Sequence, residues 1–374
     1  MSPIPAIADL EKKFLDVSST DDIGVLCNWN TATIIPKASE IMTAADVRHD
    51  TAVLGRILIN GYCGWPYHDE IVKRKVLMIL DRIFTDAHDM SSNSYFSLIK
   101  DVLVDIPDNH ICMVLDKQVA RIGMQKPGAN VGDNIARGEQ SCVKTMMRAD
   151  NIAVIGFAAM CNIDQVGQIL QNFRDDIRRS DALIVDVRGN SGGNSYFSDH
   201  LAWQLCGAQV QSARAVFIRN NPDAARVIQS NPYILDDIRD RHFHSDPVRF
   251  DNAADVPVDM TRGYNRPVYI LTNRGTASSA EMFVARMKQH PHVRLVGENT
   301  KGCEVFGNMG TVFLPHSRIV VRVGIQYREL EWDNFETNGF VPDIRVADGM
   351  DAMNVAVADF TRQKILVQAK EKNK

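Results

Sequence analysis

The chain has 374 residues, 45% of them hydrophobic and 24% charged, a length that at ~150 residues per domain gives two to three domains and a core that needs no metal or disulfide staples. Its 23 Gly and 14 Pro exclude a collagenous or low-complexity chain, and a net charge of −4 leaves no field to collect nucleic acid or anionic lipid. The N-terminal MSPIPAIADLEKKFLDV lacks a basic start followed by an apolar core, so the expectation is a cytoplasmic protein. Apolar residues then recur at helical spacing in Ile71, Val72, Val76, Leu77, Leu80 and Ile83, and again in Tyr95, Phe96, Leu98, Ile99, Val102 and Leu103. A helical N-terminal cap over 1–104 is expected. From residue 105 short β-type runs alternate with helical stretches: strands at 152–158, 182–187, 215–218, 268–272 and 319–323, helices at 163–179, 196–206 and 278–290. Alternation of this kind implies an α/β layer architecture over 105–374. The polar stretches 118–148 and 219–266 read as loops or insertions.

The longest nearly uninterrupted apolar run, Ile152 to Cys161, is too short for a bilayer, which needs ~20 residues. Seven cysteines at 27, 63, 112, 142, 161, 206 and 303 show no CxxC spacing, so neither a disulfide framework nor a zinc cluster is expected. His242-Phe-His244 has ligand-like spacing but no third ligand at helical spacing, and reads as a solvated loop. No metal and no cofactor are assigned.

Two segments could carry chemistry. Leu183-Ile-Val-Asp-Val-Arg-Gly-Asn-Ser-Gly-Gly193 is an apolar strand running into a glycine-rich turn, where exposed backbone amides can stabilise a developing anion. The same turn satisfies GxSxG, which would make Ser191 the nucleophile of an esterase. The second segment, Tyr269 to Phe283, is again strand, small-residue turn and helix, with Ser278 at the helix start. There the hydroxyl suits an ordinary N-cap, with Glu281 completing a capping box. It equally suits a nucleophile favoured by the helix dipole.

Taken in order, LIVDVRGNSGG, LTNRGTASSAE, Val296-Gly-Glu-Asn-Thr-Lys-Gly302, Phe313-Leu-Pro and Glu336-Thr-Asn-Gly-Phe-Val-Pro-Asp-Ile344 resemble the serine peptidase family of the C-terminal processing (tail-specific) proteases, the tricorn core and the interphotoreceptor retinoid-binding protein repeats. The resemblance covers roughly 105–347. It implies a ClpP/crotonase-like β-β-α superhelix, Ser278 as nucleophile, and oxyanion donors at Ser279 and one of Gly192 and Gly193. Processing proteases take their base from a lysine in a TxGKG-like segment, but here Thr300-Lys-Gly-Cys303 puts Cys303 in the lysine's place. The tricorn-like branch uses a histidine in a DGHT-like pattern, and Asp108-Asn-His-Ile111 offers His110, with Glu336 completing the set. Asn109 stands where that branch has serine, and Lys301 remains a second candidate for the base.

Histidine is the side chain best suited to take a serine proton near neutrality, and a third group must orient it. Serine attack assisted by such a base is acyl transfer, and the resemblance implies peptide bonds as its substrate. About forty residues separate His110 from the strand at Ile152, too few for the PDZ domain many relatives carry there. A peptide or protein substrate, no nucleic acid and no membrane are the expected partners, and a homo-oligomer is compatible. Rival readings are a non-catalytic binding module for apolar ligands or peptides on the same fold, and the Ser191 esterase.

Overall fold

The computed structural model describes residues 5–26, 41–115, 118–121, 142–160, 163–206, 213–231, 245–251, 264–332 and 335–372. His242 and His244, and most of the two stretches expected to be loops, lie outside them. The fold is mixed α/β, as expected, and the chain divides into two compact units that interleave in sequence: 1–127 with 215–251 and 305–329, and 128–214 with 252–304 and 330–374.

The first unit corrects the picture of a separate helical cap ending at 104. Helices Ile7–Val17, Ala44–Arg56, Glu70–Thr85 and Ser92–Ile99 share one unit with a mostly antiparallel sheet ordered Gly24–Val25, Phe306–Phe313, Val320–Glu329, Cys112–Leu115 and Gln118–Arg121. Ala215–Ile218 also pairs with Val320–Glu329, and Val248–Asp251 with Ala215–Ile218. The reason is a common core: Phe14, Leu54, Leu80 and Tyr95 from the helices are buried in the same cluster as Phe306, Val312, Val321 and Ile325 from the strands. An amphipathic helix must bury its apolar stripe against something, and here that surface is a sheet supplied by chain two hundred residues downstream.

The second unit holds a six-stranded sheet ordered Ile344–Arg345, Val293–Gly297, Val268–Thr272, Ala182–Asp186, Ile152–Phe157 and Val143–Met147. All neighbours are parallel except the last pair. Val268–Thr272 is buried at every position, the pattern of a parallel strand covered on both faces. Helix Ala352–Lys372 contributes Ala352, Ala356 and Phe360 to one side of this core. Asp359 on that helix accepts from Tyr269 Oη at 3.0 Å and pairs with Arg294 at 2.7 Å, fixing the helix to two adjacent strands. In parallel sheets ligands bind beyond the carboxyl ends of the strands, which here means beyond Asp186 and Thr272.

Strands Gln118–Arg121 and Val143–Met147 fall in a stretch expected to be loop. Val143–Met147 buries only its first residue, so no apolar alternation marks it. No helix among the described residues is long and apolar enough to cross a membrane.

Cysteine usage departs from expectation. Cys142 is disulfide-bonded, whereas Cys63, Cys112 and Cys303 are free buried thiols. Disulfides persist in oxidising compartments, so this bond pulls against a reducing cytoplasm. Thiol titration of denatured, unreduced protein is expected to find no more than five of the seven cysteines free. Seven reactive thiols in freshly purified protein would show that the bond does not form.

Candidate active site

The two turns singled out in the sequence leave neighbouring parallel strands, Ala182–Asp186 and Val268–Thr272, and are bound to each other. Asn273 Oδ1 accepts the amides of Gly189 and Gly275, both at 2.9 Å. Thr276 Oγ1 donates to Val187 O at 2.8 Å, and the Ala277 amide to Asn190 O at 3.0 Å. The first turn is braced from below by Arg188, whose guanidinium bonds both oxygens of Asp186 at 2.9 and 2.7 Å and reaches Asp351 at 2.7 Å. Those carboxylates hold the Arg188 pKa above its ordinary value, through Asp186 foremost.

Ser278 opens helix Ser279–Met287 with φ 55° and ψ −125°. An ordinary N-cap residue sits in the extended region, so the plain capping reading does not account for this backbone. A non-glycine residue at positive φ costs on the order of 1–3 kcal/mol and persists only where its surroundings over-determine it. A strained strand-to-helix turn of this kind is the geometry that projects a nucleophile in hydrolases. Ser191, the competing serine, is exposed, lies four residues before its helix at Ser195, and is not among the positive-φ residues.

Gly192 and Gly193 adopt φ +96° and +138°, and a Cβ on Gly192 would stand 2.9 Å from both Ser278 Cβ and the Ser279 amide. Only glycine allows that approach. The structure also separates the two glycines, which the sequence left as alternatives. Gly192 N–H donates to Asn190 Oδ1 at 2.9 Å, so it is committed within the turn. The amides of Gly193 and Ser279 donate to no group among the described residues. Ser279 Oγ donates to Gly193 O at 2.9 Å, holding these two residues side by side. Two adjacent N–H groups without a partner among the described residues can stabilise a developing anion.

The residue that sequence reasoning undervalued is Glu281. It is wholly buried, and its carboxylate takes four donors: Thr300 Oγ1 at 2.5 Å and Gly302 N at 2.7 Å on Oε1, Cys303 N at 2.7 Å and Ser278 N at 3.0 Å on Oε2. Burial pushes its pKa up, opposed by those bonds. The capping-box half was legible, because SxxE predicts the bond to Ser278. The three bonds to 300–303 were not, since they join segments about twenty residues apart.

The 300–303 segment in turn packs on 335–340. Thr300 Oγ1 accepts the Phe340 amide at 2.7 Å, and a Cβ on Gly302 would stand 2.4 Å from Phe335 O. Glu336 is half-buried there, with Oε2 accepting the Glu304 amide at 3.3 Å. Cys303 is buried while Lys301 is half-exposed, so the two side chains do not share one environment. His110 and Asn109 belong to the other unit, in the turn leading to strand Cys112–Leu115. Buried Asp108 shapes that turn, with Oδ1 accepting the amides of His110 at 2.7 Å and Ile111 at 3.2 Å.

Two substitutions test this architecture. Ser278→Gly relieves the strained φ, so it is expected to be at least as stable as Ser278→Ala by thermal melting, despite the ~0.5–1 kcal/mol that glycine ordinarily costs. Glu281→Gln turns an N–H₂ toward backbone donors and is expected to cost on the order of 3 kcal/mol. A Ser278→Gly protein melting well below Ser278→Ala, or a neutral Glu281→Gln, would contradict the strain and the carboxylate clamp respectively.

The fold has relatives among known structures. A candidate peptidase from Parabacteroides merdae ATCC 43184 superposes with a TM-score of 0.55 at 20% identity, covering 85% of this chain and 97% of that one. Mature CPAF complexed with lactacystin superposes with a TM-score of 0.53 at 11% identity, covering 87% and 97%. At such identities the likeness concerns the fold alone. No curated protein matches the sequence. The sequence pattern of peptidase family S41 matches residues 151–346, more than half of the chain, and that stretch contains the RGN turn, the Ser278 elbow, Glu281 and Glu336. The chain therefore belongs to peptidase family S41 and is a serine-type peptidase.

Proposed function

We propose that this protein hydrolyses peptide bonds by acyl transfer through Ser278, with His110 as general base, Glu336 as the group that orients it, and a ClpP/crotonase-like superhelix as scaffold. The observation that carries the reading is the backbone of Ser278: a strained elbow at a helix start, beside two amides with no partner among the described residues. In the first step Ser278 Oγ attacks the scissile carbonyl carbon while its proton passes to the imidazole of His110. The carbonyl oxygen becomes an oxyanion and receives the N–H groups of Gly193 and Ser279, with Gly192 giving the turn its close approach. Collapse of the tetrahedral intermediate expels the amine, which takes the proton from the imidazolium. Water then attacks the acyl-enzyme by the same route, with His110 again accepting the proton.

Glu336 supports the imidazolium electrostatically and fixes its tautomer, the role an acid plays in triads generally. Asn109 is a supporting hydrogen-bonding neighbour in this scheme. Lys301, half-exposed, is the alternative base.

A serine-directed fluorophosphonate is expected to label Ser278, and Ser278→Ala to abolish both labelling and peptide cleavage while Ser191→Ala leaves a measurable enzyme. Label mapped to Ser191 would sink the assignment. Activity is expected to rise with pH through the range in which a histidine base loses its proton, and His110→Ala to cost on the order of 10² to 10⁴ in rate. A nearly neutral His110→Ala beside an inactive Lys301→Ala would move the base to the lysine.

A further inference from the structure

His49 and His316 stand 267 residues apart in sequence yet face one another, with His49 Nδ1 2.9 Å from His316 Nε2. Both lie in the first unit, His49 on helix Ala44–Arg56 and His316 on the turn between strands Phe306–Phe313 and Val320–Glu329. Each outer nitrogen meets a carboxylate: His49 Nε2 is 3.2 Å from Asp22 Oδ2, and His316 Nδ1 is 3.1 Å from Asp46 Oδ1. A carboxylate accepts, so each outer nitrogen carries the N–H, and each neutral ring then turns a lone pair into the gap. Two lone pairs at that separation repel unless a cation lies between them.

We propose that this gap is a binding site for a divalent transition-metal ion of the zinc, nickel or copper type, with His49 Nδ1 and His316 Nε2 as protein ligands and water completing the coordination. Imidazole nitrogens suit these ions, and a ligating histidine usually donates its other N–H to a carboxylate, which is the arrangement on both rings here. Two nitrogens at ~2.0–2.1 Å from a tetrahedral ion lie about 3.3 Å apart, so the pair needs to open by only about 0.4 Å. The rings are 30% and 35% exposed, leaving access for ion and water. Asp50, wholly buried, accepts the amides of His316 at 3.0 Å and Ser317 at 2.7 Å and fixes the turn that presents one ligand.

The charged groups around the gap favour a cation. Asp22 comes from the turn Thr20–Asp22, and Asp46 and Asp50 from the His49 helix. Both outer carboxylates therefore face the pair, Asp22 at 3.2 Å from His49 Nε2 and Asp46 at 3.1 Å from His316 Nδ1.

The test is calorimetric titration of chelator-treated, full-length protein with Zn²⁺ at neutral pH. One equivalent is expected, lost in His49→Ala and in His316→Ala, weakened about 10- to 100-fold in Asp22→Asn, and retained in Cys303→Ala and in a His242→Ala/His244→Ala double variant. Because the histidine variants can lose stability, a second measurement uses the unaltered protein: Zn²⁺ is expected to protect His49 and His316 together from diethyl pyrocarbonate, read by mass spectrometry. Zinc binding that survives in both histidine variants, or that disappears with Cys303 or with the His242 pair, overturns the proposal. So does modification of both histidines at the same rate with and without zinc. If melting temperature depends on pH but not on zinc, the pair holds a proton and the metal site does not exist.

Discussion

The Glu281 carboxylate is the constraint on which the catalytic geometry depends. It is shielded from solvent, and its two oxygens are each met by two donors, which oppose the upward push of burial on its pKa. A buried charge of this kind is tolerable only when fully hydrogen-bonded. Its four bonds draw together the amide of the nucleophile, the hydroxyl of Thr300 and the amides of Gly302 and Cys303. Through Thr300 the same clamp reaches Phe340, and the packing of Gly302 against Phe335 places it beside the short helix Phe335–Asn338 that carries Glu336. One carboxylate thus sets Ser278 and the segment bearing Glu336 in a common frame.

Strain at Ser278 makes sense only inside that frame. An unfavourable φ relaxes unless neighbouring groups hold it, and here the Ser278 amide is held by Glu281, Ala277 by Asn190, and Thr276 by Val187. Asn190 is the pivot of the opposing turn. Its Nδ2 donates to Phe157 O, its Oδ1 takes the Gly192 amide, and its carbonyl takes the Ala277 amide. With Gly192 committed in this way, the Gly193 amide is the one of the pair without a partner among the described residues. Both turns are fixed by these bonds, and a donor pair fixed in advance needs no rearrangement if charge develops beside it.

Much of this was legible in the sequence because it is local. The strand at 268–272 and the helix at 163–179 carry their apolar pattern within their own residues, and the RGN and TASSAE turns announce themselves by small residues after apolar strands. What stayed hidden depends on long-range contact. The helices before residue 104 share their core with strands 306–313 and 320–329, so a domain boundary at 104 followed local pattern and missed the shared burial. Glu281 looked like half of a capping box because three of its four partners lie far along the chain. His49 and His316 showed nothing, since each is unremarkable among its sequence neighbours. Cys142 likewise sits in a polar stretch whose spacing carries no disulfide signal.

Cys303 marks where this chain leaves the lysine-dependent pattern it otherwise resembles, and its surroundings explain why the change is tolerated. The backbone at 302–303 serves Glu281 whatever side chain follows, because both bonds come from amides. The side chain itself is 3% exposed, an environment that suits a small thiol. An amine there would have to be neutral to be buried, as a lysine base must be, and its loss removes the group that would take the Ser278 proton. The positive-φ backbone of Ser278 and the Gly193 and Ser279 amides, which have no partner among the described residues, are nevertheless retained, so the reaction proposed above has to draw its base from elsewhere in the chain, as the proposal for His110 in the Asp108-shaped turn supposes.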